Sequence, residues 1–184
     1  MRSVRRPRVL AVDDRRENLV ALEAILEGLP VDVDAVTGGE DALKRLMTEE
    51  YALIVLDAHM PGMSGFETAE HIKKREKTRH IPILFVTAAD SDAESALRGY
   101  RAGAVDYIVK PIAPWELRSK VEVFADLWVF QAELGQQASR CRALLSAIGD
   151  AVGALEGPIV DTERAVTRLR SALDEASPTL RAAR

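Results

Sequence analysis

The stretch LIVLDAHMPG, residues 53–62, decides how this sequence folds, because it joins an apolar run to an aspartate and then to a turn. A run of branched apolar residues without polar alternation is typical of a strand covered on both faces of a parallel sheet. Asp57 ends the run, and Pro61 and Gly62 are turn residues. The stretch therefore predicts a buried strand that brings one carboxylate to the end of a sheet.

Similar runs recur before and after this stretch, and segments with helical spacing of apolar residues separate them. The strand and helix patterns alternate up to about residue 125. This alternation predicts an α/β fold, a doubly wound parallel sheet with right-handed crossovers that place helices on both faces. The further predicted buried strands are Arg8–Val12, Ile81–Val86 and Tyr107–Val109, and Val31–Val36, which alternates with aspartates, is predicted as an edge strand.

Helix start signals support this division of the chain. Residues 64–67, Ser-Gly-Phe-Glu, match a capping box and predict the start of the third helix. The fourth helix is predicted to begin near Ser91 or Asp92 and to end at Gly103. Pro114 suits the first turn of a fifth helix beginning at about Trp115.

Polar residues stand where four of the predicted strands end. Parallel strands bind ligands at their carboxyl ends, so these side chains are expected to converge on one edge of the sheet. Taken alone, an aspartate pair is commonly a helix cap with a solvated neighbour, and a single threonine or lysine carries no function. The combination is what predicts a site, and its members are Asp13, Asp14, Asp57, Thr87 and Lys110.

Three neighbouring carboxylates repel one another unless they share a cation or take up protons. With oxygen donors alone, Mg²⁺ is the favoured ion and Mn²⁺ an acceptable substitute. Such a site also suits a phosphoryl group, whose charge the metal and the Lys110 ammonium would neutralise while the Thr87 hydroxyl donates a hydrogen bond. Asp57 would be the nucleophile that forms an acyl phosphate.

These ordered motifs resemble the receiver domain of two-component response regulators. They are Asp13-Asp14, Asp57 followed by Met60-Pro61 and Ser64-Gly65, Thr87-Ala88, and Lys110-Pro111, and the resemblance covers about residues 7 to 125. It implies a flavodoxin-like, five-stranded parallel sheet of order 2-1-3-4-5, an order for which a receiver protein is a known example. It also implies a histidine kinase or phosphotransfer protein as phosphodonor.

The resemblance implies a role for each site residue. Asp57 would accept phosphate; Mg²⁺ would be held by Asp13, Asp14, Asp57 and the backbone carbonyl of His59. Thr87 and Lys110 would contact the phosphoryl group, and Tyr107 would be the aromatic that turns inward when Thr87 moves. It further implies a cis Lys110–Pro111 peptide bond and an asparagine after the acidic pair, at Asn18.

Composition excludes several other classes of protein. The chain has 184 residues and a formal net charge of -4, which argues against a nucleic-acid or membrane-surface partner. No apolar run approaches the ~18 residues of a membrane span, so a soluble, cytoplasmic protein is expected. The single cysteine, Cys141, excludes an internal disulfide and is expected as a small core residue.

The sequence after residue 125 predicts a helical extension, so the expected domains are a receiver over 1–125 and an extension over 126–184. Apolar residues in steps of three and four from Leu127 to Leu155 form a heptad seam interrupted by Gln137, and Pro158 is expected to break the helix. A second helical pattern runs from Val166 to Ala176. Three arrangements fit: a homodimer through a coiled coil, which is favoured, a hairpin folded back on itself, or a linker to another domain.

The extension also limits the expected output. From Asp126 onward there are seven arginines, no lysine and eight acidic residues, so no basic face is available for DNA phosphates. No histidine follows His80, which excludes a histidine-bearing phosphotransfer helix there. A phosphoacceptor that is not an enzyme and signals through contacts with a downstream protein is therefore expected.

Two rival functions remain open from the sequence. An aspartyl-phosphate phosphohydrolase usually carries a second acid two residues after the nucleophile, where this chain has His59. A scaffold that acts through the helical extension, without phosphorylation, would keep signalling after the change Asp57→Asn.

Overall fold

The computed structural model describes residues 6–88, 106–155 and 166–171. The chain divides into two compact units, Met1–Val129 and Phe130–Arg184. None of the described helices is both long enough and apolar enough to cross a lipid bilayer.

The first unit contains a five-stranded sheet in which all neighbouring strands are parallel. Its order is β2-β1-β3-β4-β5, so the doubly wound, flavodoxin-like topology expected from the sequence is confirmed. The strands are β1 (Arg8–Val12), β2 (Asp32–Val36), β3 (Leu53–Asp57), β4 (Ile83–Ala88) and β5 (Asp106–Lys110).

Four long helices are described, and three of them lie between the strands. They are α1 (Arg16–Leu26), α2 (Gly39–Thr48), α3 (Gly65–Lys74) and α4 (Pro114–Leu155). α4 is the fifth helix predicted from the sequence; it begins at Pro114, one residue before the predicted start at about Trp115, and Pro114 lies in its first turn as expected. The helix predicted between Ser91 or Asp92 and Gly103 lies outside the described residues.

Helices cover both faces of the sheet. Alternate residues of each strand point to opposite faces, so each strand contributes to two cores. Leu10 and Val12 of β1 pack in a core with residues of α2 and α3. Val9 and Ala11 pack on the other face with residues of α1 and α4. This double burial is the reason why the strand sequences are continuously apolar instead of alternating.

The register of the strands places the polar strand ends beside one another. Asp57 of β3 is the partner of Val86, the residue before Thr87. Thr87 of β4 is in turn the partner of Val109, the residue before Lys110. The sheet therefore brings residues that are distant in sequence to one edge.

The predicted fourth strand differs from the observed one in its bounds. The apolar run begins at Ile81, whereas β4 begins at Ile83. Pro82 stands between them and has no amide proton for the ladder, although its carbonyl accepts from the Ile54 N–H at 3.0 Å. Ile81 is buried outside the strand.

The second unit contains the rest of α4 and a helical segment over 166–171. The Arg168 guanidinium lies 3.8 Å from the Asp150 carboxylate, and Ala151 is buried. This contact brings the second helical pattern beside α4, as a fold-back of that segment requires. Cys141 is exposed, so the expectation that it is a core residue was wrong: its face of α4 carries other exposed apolar residues.

Candidate functional site

The residues predicted as a site lie together at the carboxyl edge of the sheet. Asp13 and Asp14 directly follow β1, and Asp57 is the last residue of β3. Thr87 lies near the end of β4, and Lys110 is the last residue of β5. Four different strands thus contribute to one site, which explains why no local motif could contain it.

Lys110 joins the acidic residues of two strands. Its ammonium group lies 2.8 Å from Asp57 Oδ2 and 3.1 Å from Asp13 Oδ2. Both carboxylates are nearly inaccessible to solvent, with 8% and 3% of their side-chain surface exposed. Protein groups, more than water, therefore have to balance their negative charges, and among the described residues Lys110 is the cation that contacts both.

The three aspartates form a single carboxylate cluster. One oxygen from each of Asp13, Asp14 and Asp57 lies within 4.8 Å of the others. Asp13 and Asp57 are buried, whereas Asp14 is open to solvent. Together with Lys110, the cluster carries two more negative than positive charges.

Asp13 is held by neutral donors as well as by Lys110. The Asn18 amide donates to Asp13 Oδ1 at 2.9 Å and to Oδ2 at 3.0 Å. The backbone N–H of Arg15 donates to Asp13 Oδ1 at 2.9 Å. Asn18 lies in the first turn of α1, so the start of that helix fixes the orientation of the carboxylate; the sequence drew attention to Asn18 but not to this contact.

The start of α3 packs against the backbone of Asp57. Ser64 and Glu67 form the predicted capping box, with the Ser64 N–H donating to Glu67 Oε2 at 2.9 Å. Gly65 follows, and its N–H donates to the Ala58 carbonyl at 3.1 Å. A Cβ on Gly65 would lie 2.0 Å from the Asp57 carbonyl oxygen, so this position has no room for a side chain.

This close approach of Gly65 is a feature that the sequence analysis missed. The capping box explained the serine and the glutamate but gave no reason for a glycine between them. The signal that could have found it is a glycine in the first turn of a helix, where helix propensity disfavours it.

The groups around Asp57 shift the pKa of its carboxyl in opposite directions. Burial raises the pKa of the Asp57 carboxyl above its usual value, and the charge of Asp13 adds to this, against the opposing effects of Lys110 and the His59 N–H. Burial alone would lower the pKa of Lys110, but its contacts with Asp57 and Asp13 outweigh this and raise it. The site thus holds a firmly charged cation beside a carboxylate that is costly to ionise.

Thr87 contributes a hydroxyl group that has no hydrogen-bond partner in the described part of the chain. Its Oγ1 is buried, and among the described residues it is the buried side-chain polar atom that has no hydrogen bond. Leaving such a group unsatisfied costs about 1–3 kcal/mol, so a ligand oxygen that accepts from it would recover stability. This supports a site for an oxygen-rich group at the edge of the sheet.

His59 and Tyr107 lie at the margin of this arrangement. The His59 N–H donates to Asp57 Oδ1 at 3.2 Å, and the exposed imidazole lies nearly perpendicular to the Phe66 ring, with the ring centroids 6.1 Å apart. Tyr107 is 42% exposed, so its ring is turned outward in this conformation. The Lys110–Pro111 peptide bond is cis, as the resemblance implies.

The donor set fits a divalent cation with hard oxygen ligands. Asp13, Asp14 and Asp57 together offer three carboxylates at an edge that is partly open to solvent. Mg²⁺ is commonly bound by one or two carboxylates while it keeps several waters, and Mn²⁺ accepts the same ligands. A bound divalent ion would also balance the excess negative charge of the cluster.

We expect Mg²⁺ to stabilise the protein through this cluster. A ligand that binds only the folded state adds about 2.7 kcal/mol of stability at 100 times its dissociation constant. The melting temperature should therefore rise with Mg²⁺ in the wild type and rise much less in Asp14→Asn, which removes a ligand charge from the exposed side. Differential scanning calorimetry over a Mg²⁺ series measures this.

Asp41→Asn is the matched control, because Asp41 is an exposed aspartate paired with Lys44 away from the site. It should keep the full response to Mg²⁺. An equal rise in melting temperature for Asp14→Asn and the wild type would exclude Asp14 as a ligand.

The amino-acid sequence of the chain is similar to that of known signalling proteins. A family model described as the response regulator receiver domain matches residues 9–122. The sensor histidine kinase GacS of Pseudomonas protegens is 39% identical over 123 residues, which are 65% of this chain and 13% of that protein. The response regulator PleD of Caulobacter vibrioides is 31% identical over 172 residues, covering 90% of this chain and 37% of PleD.

Solved structures give the same result. A response regulator receiver protein from Pseudomonas putida superposes with a TM-score of 0.60 at 30% identity, covering 64% of this chain and 97% of that one. The chain spans about half or less of the length of the curated relatives it matches.

Proposed function

This chain belongs to the response regulator receiver domain family, and from that premise we propose that Asp57 accepts a phosphoryl group from a histidine kinase or phosphotransfer protein in the presence of Mg²⁺. The observation that carries the proposal is the cluster formed by the carboxylates of Asp13, Asp14 and Asp57. Lys110 contacts two of them, Asp57 and Asp13. Two-component signalling is the class of process to which the family belongs.

The chemistry follows from the positions of these side chains. An oxygen of the Asp57 carboxylate attacks phosphorus, a P–O bond forms, and the P–N bond to the donor imidazole breaks with its electron pair returning to nitrogen. Lys110 balances negative charge on the phosphoryl oxygens, and the Thr87 hydroxyl donates to one of them. When bound by Asp13, Asp14, Asp57 and the His59 carbonyl, the divalent cation would neutralise further phosphoryl charge.

Phosphorylation then acts as a switch. A phosphate at the end of β3 adds negative charge and strong acceptors, which can bias a two-state region nearby. Two residues are proposed to change position: Thr87, whose hydroxyl has no partner among the residues that the structure describes, and Tyr107, which is partly exposed. The altered surface engages a downstream protein, and the chain itself is proposed to be a signalling protein and not an enzyme.

The extension is proposed to form a homodimer and to contribute to output by protein contact. Its large apolar residues on α4, including Phe130, Leu134 and Ile148, are exposed. The domain bounds 1–125 and 126–184 and the cytoplasmic location stay predictions from the sequence.

Intact-mass measurement tests the proposed phosphoacceptor directly. After incubation with a small acyl phosphate and Mg²⁺, the wild type should gain about 80 Da, the mass of one phosphoryl group. Asp57→Asn should gain nothing, because the amide cannot attack phosphorus. Removing Mg²⁺ with a chelator should also abolish the gain.

Asp41→Asn again serves as the control and should gain the same mass as the wild type. An equal gain in Asp57→Asn and the wild type would assign the modification to another residue. A phosphohydrolase would instead turn over many equivalents of small phosphate esters, and a phosphorylation-independent scaffold would keep its signalling in Asp57→Asn.

A further inference from the structure

We propose that the α4 seam, defined as Phe130, Leu134, Gln137, Cys141, Leu144 and Ile148, pairs with the same seam of a second copy in parallel orientation and in register. This inference rests on the proposed homodimer and assigns the orientation of its two helices.

Among the described residues of the second unit, nothing covers most of the α4 seam. Phe130 is 58% exposed, Leu134 48% and Ile148 42%, although all three are large apolar side chains. Gln137 and Cys141, between them, are exposed as well. Ala151, the next position of the heptad pattern, is buried, so cover within the chain begins where the seam ends.

The spacing of the seam selects another long helix as the partner. Its residues follow one another in steps of four and three, an average of 3.5, which keeps a straight contact line only against a helix with the same repeat. A second copy of α4 supplies that repeat and the same length. Pairing identical surfaces also gives a closed, two-fold contact.

The glycines of this part of α4 lie off the seam. Gly135, Gly149 and Gly153 are in the helix interior, where glycine is the least favourable residue after proline. None of them would contact a neighbour if it carried a Cβ. The glycines that lower the stability of the helix thus face away from the seam. Packing along the seam would offset this loss of helix stability.

Gln137 favours the parallel orientation. In a parallel, in-register pair each seam residue meets its own counterpart, so two Gln137 amides can donate to and accept from each other. The antiparallel alignment that preserves the seam matches Phe130 with Ile148, and there Gln137 faces Cys141, which is a weak hydrogen-bonding partner. A single polar seam position is a known means of fixing register and orientation.

Charge next to the seam gives the same orientation. Arg140 flanks Cys141, and in the antiparallel alignment the two copies of Arg140 would face each other. In the parallel pair Arg140 instead lies opposite Leu145, a 63% exposed apolar residue over which an arginine stem can pack. The antiparallel pair therefore carries a like-charge contact that the parallel pair avoids.

Disulfide trapping in the full chain tests the orientation. Under copper phenanthroline with dioxygen as the electron acceptor, two Cys141 thiols should lose their protons and two electrons and form one S–S bond. On the Cys141→Ser background, Leu134→Cys and Ile148→Cys should each restore a covalent dimer, seen on non-reducing gels. Facing seam positions meet the Cα separation of about 4.4–6.8 Å that a disulfide needs.

The antiparallel alignment gives a different result. It would place two copies of residue 134 ten residues out of register, about 15 Å apart at 1.5 Å per residue, and trapping would fail. Ser146→Cys on the same background, on the helix face opposite the seam, and Cys141→Ser alone should give no covalent dimer.

Light scattering of the reduced variants separates the possible failures. A dimeric protein in which neither Leu134→Cys nor Ile148→Cys can be trapped would overturn the parallel register but leave the homodimer intact. A monomeric wild type would overturn the homodimer as well. The mass gain at Asp57 is measured in a separate experiment, so none of these outcomes changes the test of the proposed phosphoacceptor.

Discussion

Replacing Lys110 with methionine should reduce the free energy of unfolding by about 3 kcal/mol near neutral pH, the lower end of the range for removing one partner of a buried ion pair, because the Lys110 side chain is itself 31% exposed. The Lys110 ammonium contacts Asp57 at 2.8 Å and Asp13 at 3.1 Å, and both carboxylates are buried. Without it, the cluster keeps three neighbouring carboxylates and no lysine. Urea denaturation of the wild type and of Lys110→Met measures the loss.

Saturating Mg²⁺ should recover much of this loss, since a divalent cation bound to the same carboxylates replaces the missing positive charge. Phosphorylation should remain weak even then, because the charge that Lys110 places beside the phosphoryl oxygens is gone. The two readouts together separate the structural effect of Lys110 from its proposed role in phosphate acceptance.

Lys44→Met is the matched control for this change. Lys44 is also paired with an aspartate, Asp41, at 2.8 Å, but both side chains are exposed. Water screens the charges of such surface pairs, so Lys44→Met should lose little stability and should not respond to Mg²⁺ differently from the wild type. Equal losses for the two variants would mean that Lys110 is only a surface lysine.

Gly65→Ala should destabilise the protein by about 2–3 kcal/mol, typical of an overpacked core position. The added Cβ would lie 2.0 Å from the Asp57 carbonyl oxygen and 2.9 Å from the Ala58 Cα. Both are backbone atoms, so either α3 or the end of β3 has to move. Because the end of β3 carries the proposed nucleophile, the rate of phosphate gain should fall with the stability.

Gly135→Ala provides a control with the opposite sign. Gly135 lies inside α4, and a Cβ there would contact nothing within 4 Å. Alanine is favoured over glycine in a helix interior by about 1 kcal/mol, so this variant should be slightly more stable than the wild type. If Gly65→Ala also proved stabilising, the close approach to Asp57 would not constrain that position.

The fold was predictable from local patterns. The continuous apolar runs around Val9 and Val55 predicted strands buried on both faces, and the structure places them at the centre of the sheet. The capping box at Ser64 marked the start of α3 to the residue. These features are local consequences of periodicity and capping, which is why a single sequence carried them. The start of β4 was misplaced because Pro82 interrupts the ladder without interrupting the apolar run.

Which polar residues would lie together could be anticipated, because parallel strands end at one edge. How they contact one another could not. The hydrogen bonds from Asn18 to Asp13 depend on how the side chains of different elements are placed, and so does the Thr87 hydroxyl, which has no partner within the described ranges. The exposure of Cys141 also went against expectation, since a small apolar residue in a heptad pattern is buried only when a partner helix covers it.

The sequence by itself determined where the five strands lie and that aspartates, a threonine and a lysine stand at strand ends, because apolar periodicity and turn residues are encoded residue by residue. Only the tertiary structure decided that Lys110 bridges Asp13 and Asp57, and that Gly65 packs against the Asp57 backbone. These contacts join residues far apart in the chain, and their distances follow from the register of the strands and the packing of α3, which no local pattern specifies.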